Sequence, residues 1–495
     1  MNGPEVSSDM AAAKSHLEFL PEELILTIVD HLDCENFQSL RALSQASQRL
    51  HRLTLEHLYH GFPGRNSELF LRTIAKSPKL ASHVKQAIWH QERRTRLHID
   101  NIEKTHIVRK LNQLVVPQQG TDLAEQFAKF GKNDDYWYME VLLLFMPNLE
   151  SLTIRDSWLW DDHHYWFKSL SPFFNPLCNS KLTTATLYGP LRIENTVPLL
   201  TIPSLRTLEL TQVIVMRREG YRVFQWSLWP VARLLPDRDP IAETGSNLET
   251  LALRESDIDL AHLLPILRGI KALKSFTYEH HPNDLAVQTD TAVHGEHANK
   301  DAVSRICEMH CASLTHLRIR DTQVWDAADC STLFTPSQSD DKTHSHSALQ
   351  TLDIGPFTPP GVSDTETNTE SAADPTLTTS SARFLHALPA TLKTLTLQIS
   401  YTHTPTPFLR ALAQNLPHTH TGLRDIVLSD WRPTLGWYPD ALAALQQEFQ
   451  AVGVRLGSVA GDVRGFYEAE PLLVDEEAEA GWVVVTDLGF GWGAG

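Results

Sequence analysis

Residues 349–354 read Leu349-Gln-Thr-Leu352-Asp-Ile354, and this Leu-x-x-Leu-x-Leu pattern, with conservative replacements, recurs through the chain. Nine units begin at Leu149, Leu182, Leu205, Leu248, Leu273, Leu314, Leu349, Leu392 and Leu423. They start on average about 34 residues apart, unevenly, against roughly 20–29 residues in the usual leucine-rich repeat. The pattern predicts that each unit is a short strand followed by a helix or loop. Stacked units then form an α/β fold, a curved leucine-rich-repeat-like solenoid with a parallel sheet.

The period of two along a strand assigns a side to each position of the unit. The fourth and sixth positions point into the core, and the third, fifth and seventh point to the concave face. Ser or Thr stands at seven of the nine third positions, which indicates a structural ladder. The positions that follow vary, and we expect them to contact a partner, with ordinary solvated charge as the alternative for each. These candidate substrate-binding residues are Arg155, Tyr188, Arg254, Glu279, Arg318, Arg320, Asp353 and Gln398.

Residues 20–59 differ from the repeats and begin Leu20-Pro-Glu-Glu-Leu24. Pro21 fits the first turn of a helix, and the two glutamates after it suit the positive end of the helix dipole. The apolar spacing predicts two short amphipathic helices, which bury little core by themselves. We therefore expect one apolar face to dock on something else. The stripes are Leu24, Ile28 and Leu32 in the first helix, and Leu40, Leu43, Leu50 and Leu53 in the second.

This stretch resembles an F-box. The likeness consists of the LPEEL opening, the stripe from Ile28 to Leu32, the Leu40-x-x-Leu43-Ser44 step and the closing Leu58-Tyr59. It implies a three-helix unit that binds the Skp-type adaptor of a cullin–RING ubiquitin ligase. The adaptor-binding face implied by the resemblance comprises Leu20, Pro21, Leu24, Ile25, Ile28, Leu32, Leu40 and Leu43.

The order of an N-terminal helical module followed by a repeat array resembles that of F-box proteins with leucine-rich repeats. The irregular repeats are similar to those of the F-box proteins abundant in filamentous fungi. That resemblance implies a non-catalytic adaptor that joins an unidentified protein substrate to the Skp-type adaptor and, through it, to a cullin. The competing interpretation is a repeat scaffold whose N-terminal helices only cap the solenoid. In that case Leu24, Ile28 and Leu32 would be buried against residues 68–90 and no adaptor would bind. An exposed apolar stripe on residues 20–45 would favour the adaptor over the scaffold.

Composition and missing motifs narrow the function classes. The formal charge of −17 argues against nucleic-acid or anionic-membrane partners. The polar start and the lack of a long apolar run predict a cytoplasmic or nuclear protein. The chain contains no G-x-S-x-G elbow, no phosphate-binding P-loop and no H-E-x-x-H motif, so we expect no enzyme activity. We expect no cofactor and no metal.

These observations divide the chain into five parts. We expect a disordered tail at 1–15, the F-box-like module at 16–62, and a helical linker with the first strand of the array at 63–145. The repeat array follows at 146–460, and an acidic, mobile tail at 461–495. The first strand is placed at 84–89. Gly355 to Ala382, rich in Thr, Ser and Pro, is predicted to be a disordered loop. Aromatic-rich insertions at 157–167 and 221–229 would be either buried caps or interaction sites.

Overall fold

A computed structural model describes residues 16–32, 37–62, 67–90, 105–110, 142–155, 181–192, 196, 199–200, 202–214, 245–256, 258, 260–280, 300–334, 347–358, 375–399, 406–419, 422–430 and 439–460. The chain divides into two compact units, Met1–Leu152 with Asp475–Gly495, and Thr153–Val474. The expected tails at 1–15 and 461–495 and the aromatic insertions at 157–167 and 221–229 lie outside the described residues.

Twelve strands form one sheet in the described part of the chain, and their order in the sheet is their order in the sequence. The pairs β1–β2 and β4 through β12 are parallel. The predicted α/β, leucine-rich-repeat-like solenoid with a parallel sheet is confirmed. The strands are β1 (Gly61–Phe62), β2 (Gln86–His90), β3 (Ser151–Arg155), β4 (Thr184–Arg192), β5 (Thr207–Ile214), β6 (Thr250–Arg254), β7 (Ser275–Glu279), β8 (His316–Trp325), β9 (Thr351–Phe357), β10 (Thr394–Ile399), β11 (Asp425–Asp430) and β12 (Arg455–Ala460).

The strand register aligns the repeat units position by position. Third-position residues are partners from strand to strand, in the order Thr184, Thr207, Thr250, Ser275, His316, Thr351, Thr394 and Asp425. A backbone pattern accompanies this row: the N–H groups of Gln350 and Thr351 both donate to the carbonyl of Thr315, at 2.8 and 3.0 Å. The N–H groups of Lys393 and Thr394 donate in the same way to Gln350, again at 2.8 and 3.0 Å. Each unit therefore begins on a shared acceptor of the preceding unit.

The two sides of the strands differ as the period predicts. In the unit at 349–354, Leu349, Leu352 and Ile354 are 2%, 0% and 1% exposed, whereas Thr351 is half-buried; Asp353, on the same side as Thr351, is an exception at 9% exposed. Phe357 at the end of β9 packs against Phe384 and Phe408, with ring centroids 5.5 and 5.7 Å away. The apolar positions of the strands therefore form one core with the helices that follow them. We call the other side of the sheet, which carries the third, fifth and seventh positions, the open face.

The helices fall into two groups. Those of the first unit are α1 (Glu22–His31), α2 (Phe37–Ala46), α3 (Gln48–His60), α4 (Ser67–Lys76) and α5 (Pro78–His83). Those of the second unit are α6 (Leu264–Arg268), α7 (Lys300–Met309), α8 (Ala327–Phe334), α9 (Pro375–Ala387), α10 (Thr406–Thr419) and α11 (Pro439–Ala451). Short 3₁₀ helices occur at His16–Phe19 and Leu260–His262. Among the described residues, none of the helices combines the length and the apolarity that crossing a membrane requires.

Three expectations about local structure need correction. The apolar spacing alone predicts one helix after α1, whereas the structure has two, which gives the three helices that the F-box resemblance implies; the side chain of Ser47 accepts from the N–H of Leu50 at 3.3 Å and caps the new helix, α3. The sheet begins with Gly61–Phe62, inside the predicted module, and not in residues 63–145. In the predicted loop Gly355 to Ala382, β9 runs to Phe357 and α9 begins at Pro375.

Two neighbouring residues of β9 test this assignment of sides. Leu352→Ala removes a fully buried side chain, and we expect it to lower the free energy of unfolding by about 2–5 kcal/mol. Thr351→Ala changes the open face, and we expect a loss below about 1 kcal/mol. Urea denaturation followed by circular dichroism measures both. Equal losses for the two variants would contradict the assignment.

Candidate docking and recognition surfaces

Helix α1 has one face in the core of the N-terminal module. Ile25 and Val29 are each 1% exposed and pack with Leu40 and Leu50, which are 3% and 1% exposed. Partly buried leucines surround this cluster: Leu20, Leu32, Leu43, Leu53 and Leu58. Ile25 and Leu40, both predicted to bind an adaptor, therefore stabilise the module and have almost no surface to offer a partner. Their assignment as contact residues is corrected.

A second stripe of α1, adjacent to the buried one, is apolar and exposed. Leu24 and Ile28 are 51% and 37% exposed, and Leu26 is 36% exposed. Phe19, in the preceding 3₁₀ helix, is 70% exposed. Pro21 is also exposed. We call Pro21, Leu24 and Ile28, which lie along one side of the start of α1, the α1 docking face. Of the predicted adaptor-binding residues, Pro21, Leu24 and Ile28 belong to it, and Leu20, Leu32 and Leu43 are half-buried around the module's core.

Two other exposed apolar residues near α1 were not singled out in the sequence. Leu26 is two residues from both Leu24 and Ile28, so it lies on the other side of the helix and outside the docking face. Phe19 lies in the 3₁₀ helix before α1, where the every-fourth spacing of α1 does not extend.

The docking face is held in place from behind by α3. Arg49 donates from Nη2 to the carbonyl of Leu20 at 2.9 Å, and Arg52 forms a close ion pair with Glu22 in the first turn of α1. The main helix contacts of α1 are with α3, which also packs against α5 and β1. The Phe62 ring stacks on that of Phe70 in α4, with centroids 4.4 Å apart. The module is therefore joined to the start of the sheet through α3, and the outward side of α1 is not used for that contact.

On the open face, five of the predicted substrate-binding residues bind one another across strands β6 to β9. Arg254 lies between two carboxylates: its Nε is 2.5 Å from Oε1 of Glu209, and its Nη1 is 3.2 Å from Glu279. Arg318 connects Glu279, at 2.7 Å from Nη2, with Asp353, at 3.3 Å from Nε. Nη2 of Arg320 is 3.1 Å from the same Asp353 oxygen, Oδ2. We call this alternating row of three arginines and three carboxylates the ion-pair ladder.

The two ends of the ladder differ energetically. Burial by itself would lower the pKa of Arg254, but Glu279 and Glu209 outweigh it, and the pKa is raised above the ordinary arginine value. Asp353 is 9% exposed, and burial raises the pKa of its carboxyl although Arg320 and Arg318 act in the opposite direction. Charge pairing thus exceeds desolvation at Arg254 and falls short of it at Asp353.

Unpaired polar atoms mark the Asp353 end. Oδ1 of Asp353, Nε of Arg318 and Nε of Arg320 are buried without a hydrogen-bond partner among the described residues, although Nε of Arg318 is within ion-pair distance of Oδ2 of Asp353. Burial also lowers the pKa of Arg318, with Arg320 adding to the effect. Such groups carry a desolvation penalty of about 1–3 kcal/mol each when no bond replaces the lost water. The ladder therefore sets the relative position of neighbouring side chains more than it stabilises the fold.

The remaining three candidates lie outside the ladder. The guanidinium carbon of Arg155 is 5.2 Å from the ring centroid of Tyr188, which is a cation–π contact between β3 and β4. Gln398 is 7% exposed and lies over Gly355 of the neighbouring strand, where an added Cβ would be 2.3 Å from the Gln398 Cβ. Gly355 is therefore required for this close approach. Arg155 is exposed, and Tyr188 is half-buried.

The charged side chains of the open face are therefore distributed unevenly along the sheet. The ladder satisfies most of its charges internally, so it is not a general site for either cations or anions. Within the described residues, no group of three or more His, Cys, Asp or Glu side chains is arranged to hold a metal ion.

No protein-family model matches the sequence. No curated protein matches it either. Weak similarity is found to solved structures, among them the following two. A crystal structure of the yeast Rad7–Elc1 complex shares 13% identity over 71% of this chain and 91% of that chain, with a TM-score of 0.28. An internalin from Listeria monocytogenes shares 13% identity over 72% of this chain and 93% of that chain, with a TM-score of 0.25. Similarity at this level does not establish a shared function.

The raised pKa of Asp353 gives a pH prediction. The folded state holds the proton of this carboxyl more tightly than the unfolded chain, whose aspartates titrate near about 3.9. The contribution of Asp353 to stability is therefore complete below that pH and is lost as pH rises through the raised pKa. We expect the free energy of unfolding of the wild type, minus that of Asp353→Asn, to decrease as pH rises across this window. Urea denaturation of both proteins between pH 3.5 and 7 measures the difference, and an increase with pH would contradict the assignment.

Proposed function

We propose that this protein is a substrate-recognition adaptor of a Skp–cullin–F-box ubiquitin ligase, and that it is not itself an enzyme. The observation that carries the proposal is the contrast between the two faces of α1. Ile25 and Val29 are each 1% exposed, whereas Leu24 and Ile28 are 51% and 37% exposed. This exposed face lies in the stretch whose LPEEL opening and leucine spacing resemble an F-box.

Exposed leucine and isoleucine side chains are ordinary when they are scattered, but a row of them on one helix indicates a contact surface. Burying such a side chain completely is worth about 1.5–3 kcal/mol. The α1 docking face therefore has enough apolar surface to contribute to a stable complex, and Arg49 and Arg52 hold α1 ready for it. In the proposal, the occupant is the Skp-type adaptor, and the cullin is reached through that adaptor.

The alternative, a scaffold whose N-terminal helices only cap the solenoid, required Leu24, Ile28 and Leu32 to be buried against residues 68–90. Leu24 and Ile28 are exposed, and Leu32 is half-buried on the module's own core. The contacts that a cap needs are made by α3 with α5 and β1. Capping and docking therefore use different helices of the module, which favours the adaptor over the scaffold.

The array completes the proposed role. A parallel sheet with one open face gives a large, preformed surface on which a protein substrate can be held. In this assignment the ligase supplies the ubiquitin-transfer chemistry, and the chain needs neither a cofactor nor a metal of its own.

Co-purification of the full chain with a Skp-type adaptor tests the proposal. We expect the wild type to co-purify and the Leu24→Asp/Ile28→Asp variant to fail, because a carboxylate placed in an apolar interface costs several kcal/mol. A loss of about 4 kcal/mol weakens binding roughly a thousandfold, which is enough to abolish a micromolar complex.

The matched control is Ile88→Asp. Ile88 in β2 is 37% exposed, as is Ile28, but it lies outside the docking face. We expect Ile88→Asp to retain the adaptor and Ile28→Asp to lose most of it, with both variants showing a cooperative thermal unfolding transition. If the folded wild type does not bind the adaptor, or if the two single variants behave alike, the proposed function is wrong.

A further inference from the structure

A short row of side chains on the open face lies beside the ion-pair ladder. Seventh-position residues of three successive strands form it: Arg155 in β3, Tyr188 in β4 and Thr211 in β5. The Arg155 guanidinium is 5.2 Å from the Tyr188 ring centroid, and Tyr188 and Thr211 are register partners. Thr211 is in turn the register partner of Arg254, where the ladder begins. We call Arg155, Tyr188 and Thr211 the recognition row.

Charge balance singles out Arg155. At the third, fifth and seventh positions of β3 to β12, the charged side chains are five arginines and four carboxylates. Arg254, Arg318 and Arg320 are balanced by Glu209, Glu279 and Asp353 in the ladder, and Arg455 pairs with Asp425 at 2.7 Å. Arg155 is left without a carboxylate among the described residues, in a chain whose formal charge is −17. Among the residues that the structure describes, Arg155 is therefore the one positive charge of the open face that no carboxylate of that face balances.

Thr211 provides a second, independent observation that points to a ligand. It is 6% exposed, and its Oγ1 is buried without a hydrogen-bond partner in the part of the chain that the structure describes. A hydroxyl can both donate and accept, so an unused one is suited to a peptide N–H or carbonyl brought by a ligand. The penalty of leaving it unpaired would be relieved on binding.

The backbone turns sharply just beyond this row. Gly189, Gln212 and Glu255 follow the seventh positions of β4, β5 and β6, and their φ values are +131°, +64° and +47°. Positive φ is uncommon for Gln and Glu and is found preferentially at binding sites. Nε2 of Gln212 is 3.3 Å from Oε2 of Glu255, which ties the two turns together. The strands therefore change direction together where the row ends.

We infer that the recognition row binds an acidic segment of the protein substrate, with a carboxylate on Arg155 and a backbone group on Oγ1 of Thr211. This inference rests on the proposed function, because the bound segment belongs to the substrate. A guanidinium presents paired donors that match a carboxylate, and one uncompensated positive charge matches one carboxylate better than a doubly charged phosphate. Strands lie about 4.8 Å apart, so Arg155 and Thr211 are about 10 Å apart, which is the span of about three extended residues.

Peptide selection on the full chain tests the inference. Four libraries of eight-residue peptides, with random flanks and a central Glu, Gln, Lys or phosphoserine, are passed over the immobilised protein, and the retained peptides are quantified by mass spectrometry. We expect the Glu library to be retained about tenfold more than the Gln library, as one charge-assisted contact implies. Arg155→Gln should abolish that difference. Arg455→Gln is the matched control, since Arg455 is on the same face, is 84% exposed and is already paired.

The Thr211→Val variant distinguishes a role of Thr211 in peptide binding from a purely structural role. The substitution removes a hydroxyl that has no partner, so we expect the melting temperature to be unchanged or higher. Retention of the Glu library should nevertheless fall severalfold. A merely structural hydroxyl would leave peptide retention unchanged, and that result would overturn the role of Thr211.

Other outcomes overturn the inference as a whole. Retention of phosphoserine peptides above Glu peptides would assign a phosphorylated segment instead. Equal retention of all four libraries, or an Arg155→Gln variant that selects as the wild type does, would remove the row as a recognition site. Adaptor co-purification is measured on the same preparations. Loss of the adaptor with peptide selection intact contradicts the proposed function, and loss of peptide selection with the adaptor bound contradicts the recognition row.

Discussion

The burial of leucines at fixed positions of each repeat is the constraint on which the rest of the structure depends. Because Leu349, Leu352 and Ile354 and their equivalents must reach one core, a strand can pair with its neighbour in a single register. A slip by one residue would turn every apolar side chain to solvent. The shared carbonyl acceptors at the strand starts, such as that of Thr315, repeat with the same register. Positions three, five and seven are thereby placed in straight rows on the open face.

Those rows explain why charged residues far apart in sequence meet. Arg254 and Glu279 belong to different repeats, and so do Arg318 and Asp353, yet each pair lies across neighbouring strands. The ladder is therefore a consequence of register, and its energy varies along its length. At Arg254 the pairing outweighs desolvation, whereas at Asp353 burial dominates and polar atoms are left unpaired. Arg155 has no carboxylate partner among the described residues, so the regular geometry that pairs the charges in the middle of the face does not pair this one within the described part of the chain.

The repeat pattern predicted the side of the sheet on which each residue would lie, but not which side chains would bind one another. Side chains alternate between the two sides of a strand, so the odd or even position of a residue in the repeat decides its side. This rule placed all eight candidate recognition residues on the open face. Pairing depends on side-chain length and on the neighbouring residue, as with Gln398 over Gly355. Strand β1 was missed because Gly61–Phe62 is too short to show a period. Helix α9 was missed because its Thr- and Ser-rich sequence has low helix propensity, and burial of Phe384 and Leu385 overrides that propensity.

The N-terminal module shows the same limit in a helix. Leu24 and Ile28 are four residues apart, and so are Ile25 and Val29, so the spacing favours neither pair as the buried one. The structure resolves the choice through α3, because Arg49 and Arg52 hold the start of α1 with Ile25 facing Leu50. Leu24 and Ile28 are then turned outward by the geometry of the helix itself. The burial of Ile25 and Val29 therefore leaves Leu24 and Ile28 accessible, which is the condition that the proposed docking on an adaptor requires.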